Sequence, residues 1–335
     1  MRRWLSRALV LIILCAAALA AAAWWWTRQP LALASDTVEV SIEAGTSPRG
    51  VAQAWVAAGV RTSPWLLYEW FRWSGQARQI RAGSYEIGAG TTPADLLRKM
   101  VLGDETLATV KLIEGWTFRQ FRAALAKAEA LSPTTAAMSD AELMAALGAP
   151  GVPPEGRFFP DTYAYSKGTS DVAVLRRALR AMQHRIDELW PLRPADSPLK
   201  SADEALVLAS IVEKETGREA DRGKVAAVFL NRLRIGMPLQ TDPSVIYGLG
   251  TAFDGNLRKR DLLADGPYNT YTRAGLPPTP IAMPGKASLL AVMRPDPTKA
   301  LYFVSRGDGS SEFSETLDQH NRAVNRYQRN QNGSK

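Results

Sequence analysis

The first pattern along the chain is an unbroken apolar run. Residues 8–26 carry no charge and are nearly all hydrophobic, about the length a single helix needs to span a bilayer core. Arg2, Arg3 and Arg7 precede the run, and Trp24, Trp25 and Trp26 close it, where an aromatic belt would meet the interface. The arginines favour a cytoplasmic N-terminus and place the rest of the chain outside. A cleaved signal peptide is the alternative, because residues 18–23 offer small side chains at which cleavage can occur. The length of the run and its bulky end favour a retained anchor. Cys15 reads as an apolar member of the run, since the bulky Leu14 before it does not suit a lipidation signal. Residues 27–36 read as a linker.

Period-two and helical patterns then alternate. Val38, Val40 and Ile42 predict a strand. Gly45-Thr46-Ser47-Pro48 follows, then a helical run through Val51 and Trp55. Tyr85 and Ile87 lead in the same way into Gly90-Thr91-Thr92-Pro93 and a run through Leu96, Leu97 and Met100. Ser or Thr followed by Pro starts a helix: the hydroxyl takes a free N–H, and proline at the first helical position gives up no hydrogen bond. A weaker third copy is Ile113-Glu114-Gly115-Trp116-Thr117 before Phe118 and Phe121. Three copies of so common a signal do not define a repeat fold; residues 37–107 read as a small α+β module. Residues 124–149 are alanine-rich and read as helical pieces. The glycine, proline and aromatics of residues 155–163 predict an ordered loop, whose rings either stack on sugars or form a buried anchoring cluster.

Residues 201–217 predict a helix, with a Ser201/Glu204 capping box at its start and Gly217 as its stop. Leu208, Ile211, Val212 and Glu215 stand at i, i+3, i+4 and i+7, so Glu215 continues an apolar stripe. Glu213 points about 160–200° away and reads as a structural or solvent-facing partner. A carboxyl on an apolar stripe loses hydration, which favours its protonated form and suits a general acid. The same spacing also fits a half-exposed glutamate paired with a lysine or arginine. A further helix is expected over residues 220–234, ending at Gly236. In residues 240–248, Gln240, Thr241, Asp242, Ser244 and Tyr247 either orient ligand hydroxyls or include a helix start, with Asp242 as cap and Pro243 first in the helix. Asn269 and Tyr271, in Tyr268-Asn269-Thr270-Tyr271, and Gly275-Leu276-Pro277-Pro278 read as loops.

Composition narrows the chemistry. The chain has 335 residues, 46% hydrophobic and 22% charged, an ordinary globular balance. Lys and Arg number 41 against 33 Asp and Glu, a formal charge of +8. Such a surface attracts anionic lipid or acidic wall polymer, and equally serves solubility. The basic residues are dispersed and no nucleic-acid motif accompanies them, so nucleic acid is not an expected partner. A single cysteine excludes an intramolecular disulfide, and with only His184 and His320 no Cys/His zinc centre is expected. There is no P-loop, dinucleotide fingerprint, GxSxG elbow or HExxH. No cofactor or metal is expected, and carboxylate chemistry is the remaining route for an enzyme.

Several long motifs resemble the YceG-like (MltG) endolytic murein transglycosylases. They are the run from Leu208 through Glu213-Lys214-Glu215-Thr216, Asn231-Arg232-Leu233, Ile235-Gly236-Met237 and Leu239-Gln240-Thr241-Asp242-Pro243. Glu155-Gly156, Pro160-Asp161-Thr162, Tyr268-Asn269-Thr270-Tyr271, Gly275-Leu276-Pro277-Pro278, Leu301-Tyr302-Phe303-Val304 and His320-Asn321 agree as well. The resemblance runs from the anchor to about Tyr327; Arg157-Phe158-Phe159 and Thr279-Pro280 depart from the pattern at loop positions only. It implies an α+β architecture: a single N-terminal transmembrane helix, a small LysM-like module and a mixed α/β YceG-type lytic domain. On this chain these become a cytoplasmic tail (1–7), the transmembrane helix (8–26), a linker (27–36), the LysM-like module (37–107), the catalytic domain (108–330) and a tail (331–335).

The resemblance further implies a lyase that cuts the MurNAc–GlcNAc bond of nascent glycan strands and leaves 1,6-anhydro-MurNAc ends. It would sit in the inner membrane with its catalytic domain periplasmic, beside peptidoglycan synthases (penicillin-binding proteins). The family's catalytic glutamate, the second of the Glu-Lys-Glu pair, falls on Glu215. Candidate glycan-binding residues are Gln240, Thr241, Asp242, Ser244, Tyr247, Asn269, Tyr271 and Glu213. Ordinary glycoside hydrolysis uses two carboxylates; an internal sugar hydroxyl as nucleophile removes the need for the second, although Asp161 or Asp242 could approach Glu215 in the fold. A non-catalytic wall-binding scaffold and a muramidase that uses water are the alternatives.

Overall fold

The structure is a computed structural model that describes residues 2–43 and 45–329, without the side chains of residues 2, 3, 5, 6, 8, 9 and 329. The tail expected at residues 331–335 lies outside the described residues. The chain divides into two units, residues 1–108 with 164–169, and residues 109–163 with 170–335.

In the first unit, helix α1 (Arg2–Trp26) carries the apolar run. Every side chain from Val10 to Trp25 is exposed. Among the described residues no helix is long and apolar enough to cross a membrane; the span expected at residues 8–26 begins among positions whose side chains are not described. Strand β1 (Thr37–Ile42) alternates exposed and buried residues as its pattern predicts. Helices α2 (Pro48–Ala58) and α3 (Pro64–Trp73) follow, then strand β2 (Gly83–Gly88) and helix α4 (Pro93–Leu102). β1 and β2 pair antiparallel with Val40 opposite Tyr85. The Ser-Pro and Thr-Pro starts act as expected: Ser47 accepts from the Gly50 N–H, and Thr92 forms a reciprocal capping box with Asp95. α3 is not among the expected elements. Aromatic side chains around its circumference blur the helical period, although Ser63-Pro64 is the same start signal. Trp55, Leu67, Phe71, Tyr85, Leu96 and Met100 form the buried centre.

Strands β3 (Leu107–Lys111) and β4 (Thr162–Ser166) form a further two-stranded sheet. The second unit is built from α5 (Phe118–Ala126), α6 (Asp140–Ala146), α7 (Asp171–Leu189), α8 (Ala202–Glu215), α9 (Arg222–Arg234), α10 (Asp242–Leu249), α11 (Lys259–Leu263) and α12 (Lys286–Met293). The hairpin of β5 (Tyr302–Ser305) and β6 (Ser311–Ser314), then α13 (Leu317–Val324), completes it. Thr117 caps α5 in a box with Gln120. The loop aromatics resolve toward the buried cluster: Phe158 is fully buried and stacks on Phe118 at 5.1 Å. The stretch expected as loop also yields the start of β4 at Thr162.

α8 is the central helix, touched by α9, α10 and α12. Every side chain from Ala205 to Val212 is buried, so the helix is enclosed on all sides rather than lying on the surface with one apolar stripe. Its ends also differ from expectation. Ser201 accepts from the Glu204 N–H, but the Glu204 carboxylate accepts from the Lys200 N–H, so the box is not reciprocal. The helix stops at Thr216 in extended conformation, with its hydroxyl donating to the Val212 carbonyl. That bond occupies a terminal carbonyl, and no left-handed glycine is needed at Gly217.

Candidate active site

Glu215 ends α8 where the helix meets the start of α10. Thr241, the N-cap of α10, donates its hydroxyl to Glu215 Oε1 at 2.5 Å. Burial pushes the Glu215 carboxyl above the ordinary range; the Thr241 bond pulls it down, and the charge of Asp242 pushes it up again. The net rise keeps a proton on Glu215 to higher pH than on a solvated glutamate, the condition a general acid needs.

A polar lattice behind the acid holds Thr241 in place. The Thr241 N–H donates to Thr270 Oγ1 at 3.0 Å, and its carbonyl accepts from Ser244 Oγ at 2.8 Å. Ser244 and Thr270 also share a hydroxyl–hydroxyl bond of 2.9 Å, and all three residues are buried. Gln240 adopts a left-handed φ of 52°, uncommon for a residue with a Cβ. Its N–H donates to the Thr270 carbonyl at 3.0 Å. The buried guanidinium of Arg232 clamps the same segment, donating to the carbonyls of Pro238 (3.1 Å), Leu239 (2.9 Å) and, on the far side, Leu301 (2.7 Å).

Glu215 and Arg232 lie in a cleft of about 850 Å³. Gln240, Asp242 and Tyr271 line one side, and the Tyr271 hydroxyl donates to Asp242 Oδ1 at 2.5 Å. Burial is the first cause that raises the Tyr271 phenol, followed by its bond to Asp242. The residues of β5, with His320 and Asn321 of α13, line the other side. His320 stacks on Tyr302 at 5.2 Å, and burial with the charge of Arg232 lowers its pKa. Among the described residues its Nδ1 is buried without a hydrogen-bond partner.

Of the residues expected from sequence, the fold gathers Glu215, Gln240, Asp242 and Tyr271 at this cleft and sets Thr241 against Glu215. Ser244 stands behind Thr241 as support. Asn269 is occupied in its own loop: its amide donates to the carbonyls of Asp261, Leu262 and Ala264, and its oxygen accepts from the N–H groups of Tyr271 and Thr272. Tyr247 faces a different cleft, where it donates to Glu155 at 3.1 Å. Glu213 leaves α8 on another side and accepts from the Gly285 N–H (2.9 Å) and Ser288 Oγ (2.7 Å), capping α12. Asp161 accepts from the Thr162 N–H and does not line the Glu215 cleft. Residue-by-residue reading missed Arg232, which looked like a polar position on a surface helix, and Tyr302 and His320, far away in sequence; motif resemblance was the only signal for these.

A half-buried carboxyl whose pKa burial raises, on the lining of a cleft shared with Arg232, Asp242, Tyr271 and Tyr302, has the environment of a candidate acid/base site built around one glutamate. The model of the YceG-like family matches residues 40–326. The chain is 32% identical over 308 residues to the endolytic murein transglycosylase of Bacillus subtilis (strain 168), covering 87% of this chain and 85% of that protein. The protein of the same name from Streptococcus pneumoniae (strain D39) is 26% identical over 326 residues, and the chain spans 58% of its length. A crystal structure of a YceG-like protein from Listeria monocytogenes superposes with a TM-score of 0.54 at 28% identity, covering 86% of this chain and 99% of that one. The chain belongs to the YceG-like family.

Proposed function

We propose that this chain is an endolytic murein transglycosylase, a lyase acting on peptidoglycan with Glu215 as its acid and base. The observation that carries the reading is the half-buried Glu215 carboxyl, raised in pKa and held by the Thr241 hydroxyl at the cleft. In this reading Glu215 protonates the glycosidic oxygen as the MurNAc C1–O bond breaks, releasing the GlcNAc hydroxyl. It then takes the proton of the MurNAc C6 hydroxyl, whose oxygen bonds to C1 of the same ring. One proton is given and one regained, so the carboxyl ends as it began and no water is consumed. The tethered hydroxyl also has a high effective concentration at C1. Cutting within nascent strands would end their elongation.

Asp242 in the same cleft favours one rival, a muramidase in which a second carboxylate activates water. Mass spectrometry of peptidoglycan digested by the protein separates the two. Anhydro-MurNAc ends, one water lighter and inert to borohydride, are expected; reducible MurNAc ends that take ¹⁸O from labelled water would establish hydrolysis.

The same reading makes residues 8–26 an inner-membrane anchor and residues 37–107 a LysM-like wall-binding module. The catalytic domain is then periplasmic, and penicillin-binding proteins that extend the strands are its neighbours. The exposed apolar side chains from Val10 to Trp25 support the anchor, and the antiparallel β1–β2 pair enclosing two helices in sequence supports the module. Alkaline phosphatase fused after Lys335 is expected to be active. An inactive fusion, with an active cytoplasmic reporter at the same site, overturns the topology.

A further inference from the structure

The second unit holds another large cleft, of about 980 Å³, that the Glu215 chemistry does not use. Two elements border both clefts. α10 presents Thr241 to Glu215 at its N-cap and Tyr247 to this second cleft six residues later, about 9 Å along the helix axis. The 268–271 loop does the same, with Tyr271 bonded to Asp242 and Tyr268 packed edge-on against Tyr247 at 5.0 Å.

The second cleft is built rather than incidental. Glu155 is 7% exposed at its base, accepting from the Phe118 N–H at 3.0 Å and the Tyr247 hydroxyl at 3.1 Å. Burial pushes its carboxyl up to about 7. The Tyr268 hydroxyl is tied to Thr279 at 2.8 Å, so both tyrosine rings are held by their polar ends and leave ring surface to the cleft. Half-buried Phe253 adds another ring and exposed Arg119 a cation on the lining. Fixed rings beside polar groups suit the mixed apolar and hydroxylated faces of sugars. A guanidinium suits a carboxylate.

We propose that this cleft binds a second stretch of the same peptidoglycan strand, with sugar faces on Tyr247, Tyr268 and Phe253 and a stem-peptide carboxylate on Arg119. The inference rests on peptidoglycan being the substrate. It gives the enzyme a physical basis for preferring long strands: occupying both clefts needs a glycan that reaches from Glu215 past α10 to Tyr247, which a short fragment cannot supply.

Binding measured in the full-length Glu215→Gln chain tests the site apart from catalysis. The probes are long uncrosslinked glycan strands and fragments of two disaccharide-peptides. Adding Phe253→Ala with Arg119→Ala should weaken binding of long strands roughly tenfold, the scale of one ring contact and one ion pair, while binding of the fragments holds. Arg119→Glu alone, which leaves the rings in place, should weaken long strands in the same direction at an unaltered melting temperature. Unchanged affinity for long strands, or equal loss for strands and fragments, overturns the site. Cleavage by the chain with Glu215 intact reports separately on the catalytic reading: no cleavage together with a cleft-dependent loss of binding rejects the lyase and keeps the second site.

Discussion

The two clefts along α10 each hold a glutamate, Glu155 buried and Glu215 half-buried, and the two are equipped differently. Glu155 accepts a backbone N–H on one oxygen and a tyrosine hydroxyl on the other, so both oxygens are committed to the protein. Glu215 accepts one threonine hydroxyl on Oε1 and lies on the lining of its cleft. Burial raises both carboxyls. A raised pKa therefore does not identify the acid here. What distinguishes Glu215, among the described residues, is an oxygen, Oε2, with no hydrogen-bond partner in the protein.

The strongest way to break this comparison is to remove the acid. Glu215→Gln keeps size and polarity but cannot transfer a proton, and should lower turnover by about 10²–10⁴-fold or more, since one group serves both steps. Full activity in that variant, measured on purified strands, excludes the assignment. Thr241→Val sharpens it. The lost hydrogen bond was lowering the Glu215 pKa, so the acid should hold its proton to still higher pH. The alkaline limb of the rate profile should move upward while the rate falls roughly tenfold, the value of about one hydrogen bond. A profile that stays in place shows that Thr241 does not tune the acid.

Glu155 should show itself in stability. Its folded pKa of about 7 lies above the ordinary 4.5, so the folded state binds the proton more tightly. That contribution is fully present below the unfolded pKa and is lost as pH rises through about 7, with an upper bound of about 3 kcal/mol. Glu155→Gln should flatten the dependence of melting temperature on pH between about 5 and 8; a slope equal to that of the parent counts against the raised pKa. The smallest effect is expected from Glu213→Gln. Weakening a charged cap on α12 should cost about 1 kcal/mol and leave the pH–rate profile of Glu215 where it was. Movement of that profile would return Glu213 to the active site.

The local signals were legible because they depend on a few neighbouring residues. Ser47-Pro48, Thr92-Pro93 and Thr117 start helices wherever they stand in the fold, since a hydroxyl needs only the N–H groups of its own first turn. The alternation of β1 needed only one face turned inward. The helical angle between Glu213 and Glu215 likewise sent the two side chains in different directions before any tertiary contact was known.

Tertiary structure decided the rest, because burial and partnership come from segments distant in sequence. The stripe that singled out Glu215 is not a stripe in the fold: α9, α10 and α12 enclose α8, and the raised pKa comes from that enclosure. Asn269 and Tyr271 are two residues apart, yet one is spent on its own loop and the other reaches the cleft. Arg232 looks like a surface charge until the carbonyls of Pro238, Leu239 and Leu301 close around it. Tyr247 and Thr241 share a helix, but its length delivers them to different clefts. A linear pattern carries direction and propensity; whether a polar group meets water, a carbonyl or a substrate depends on what packs against it.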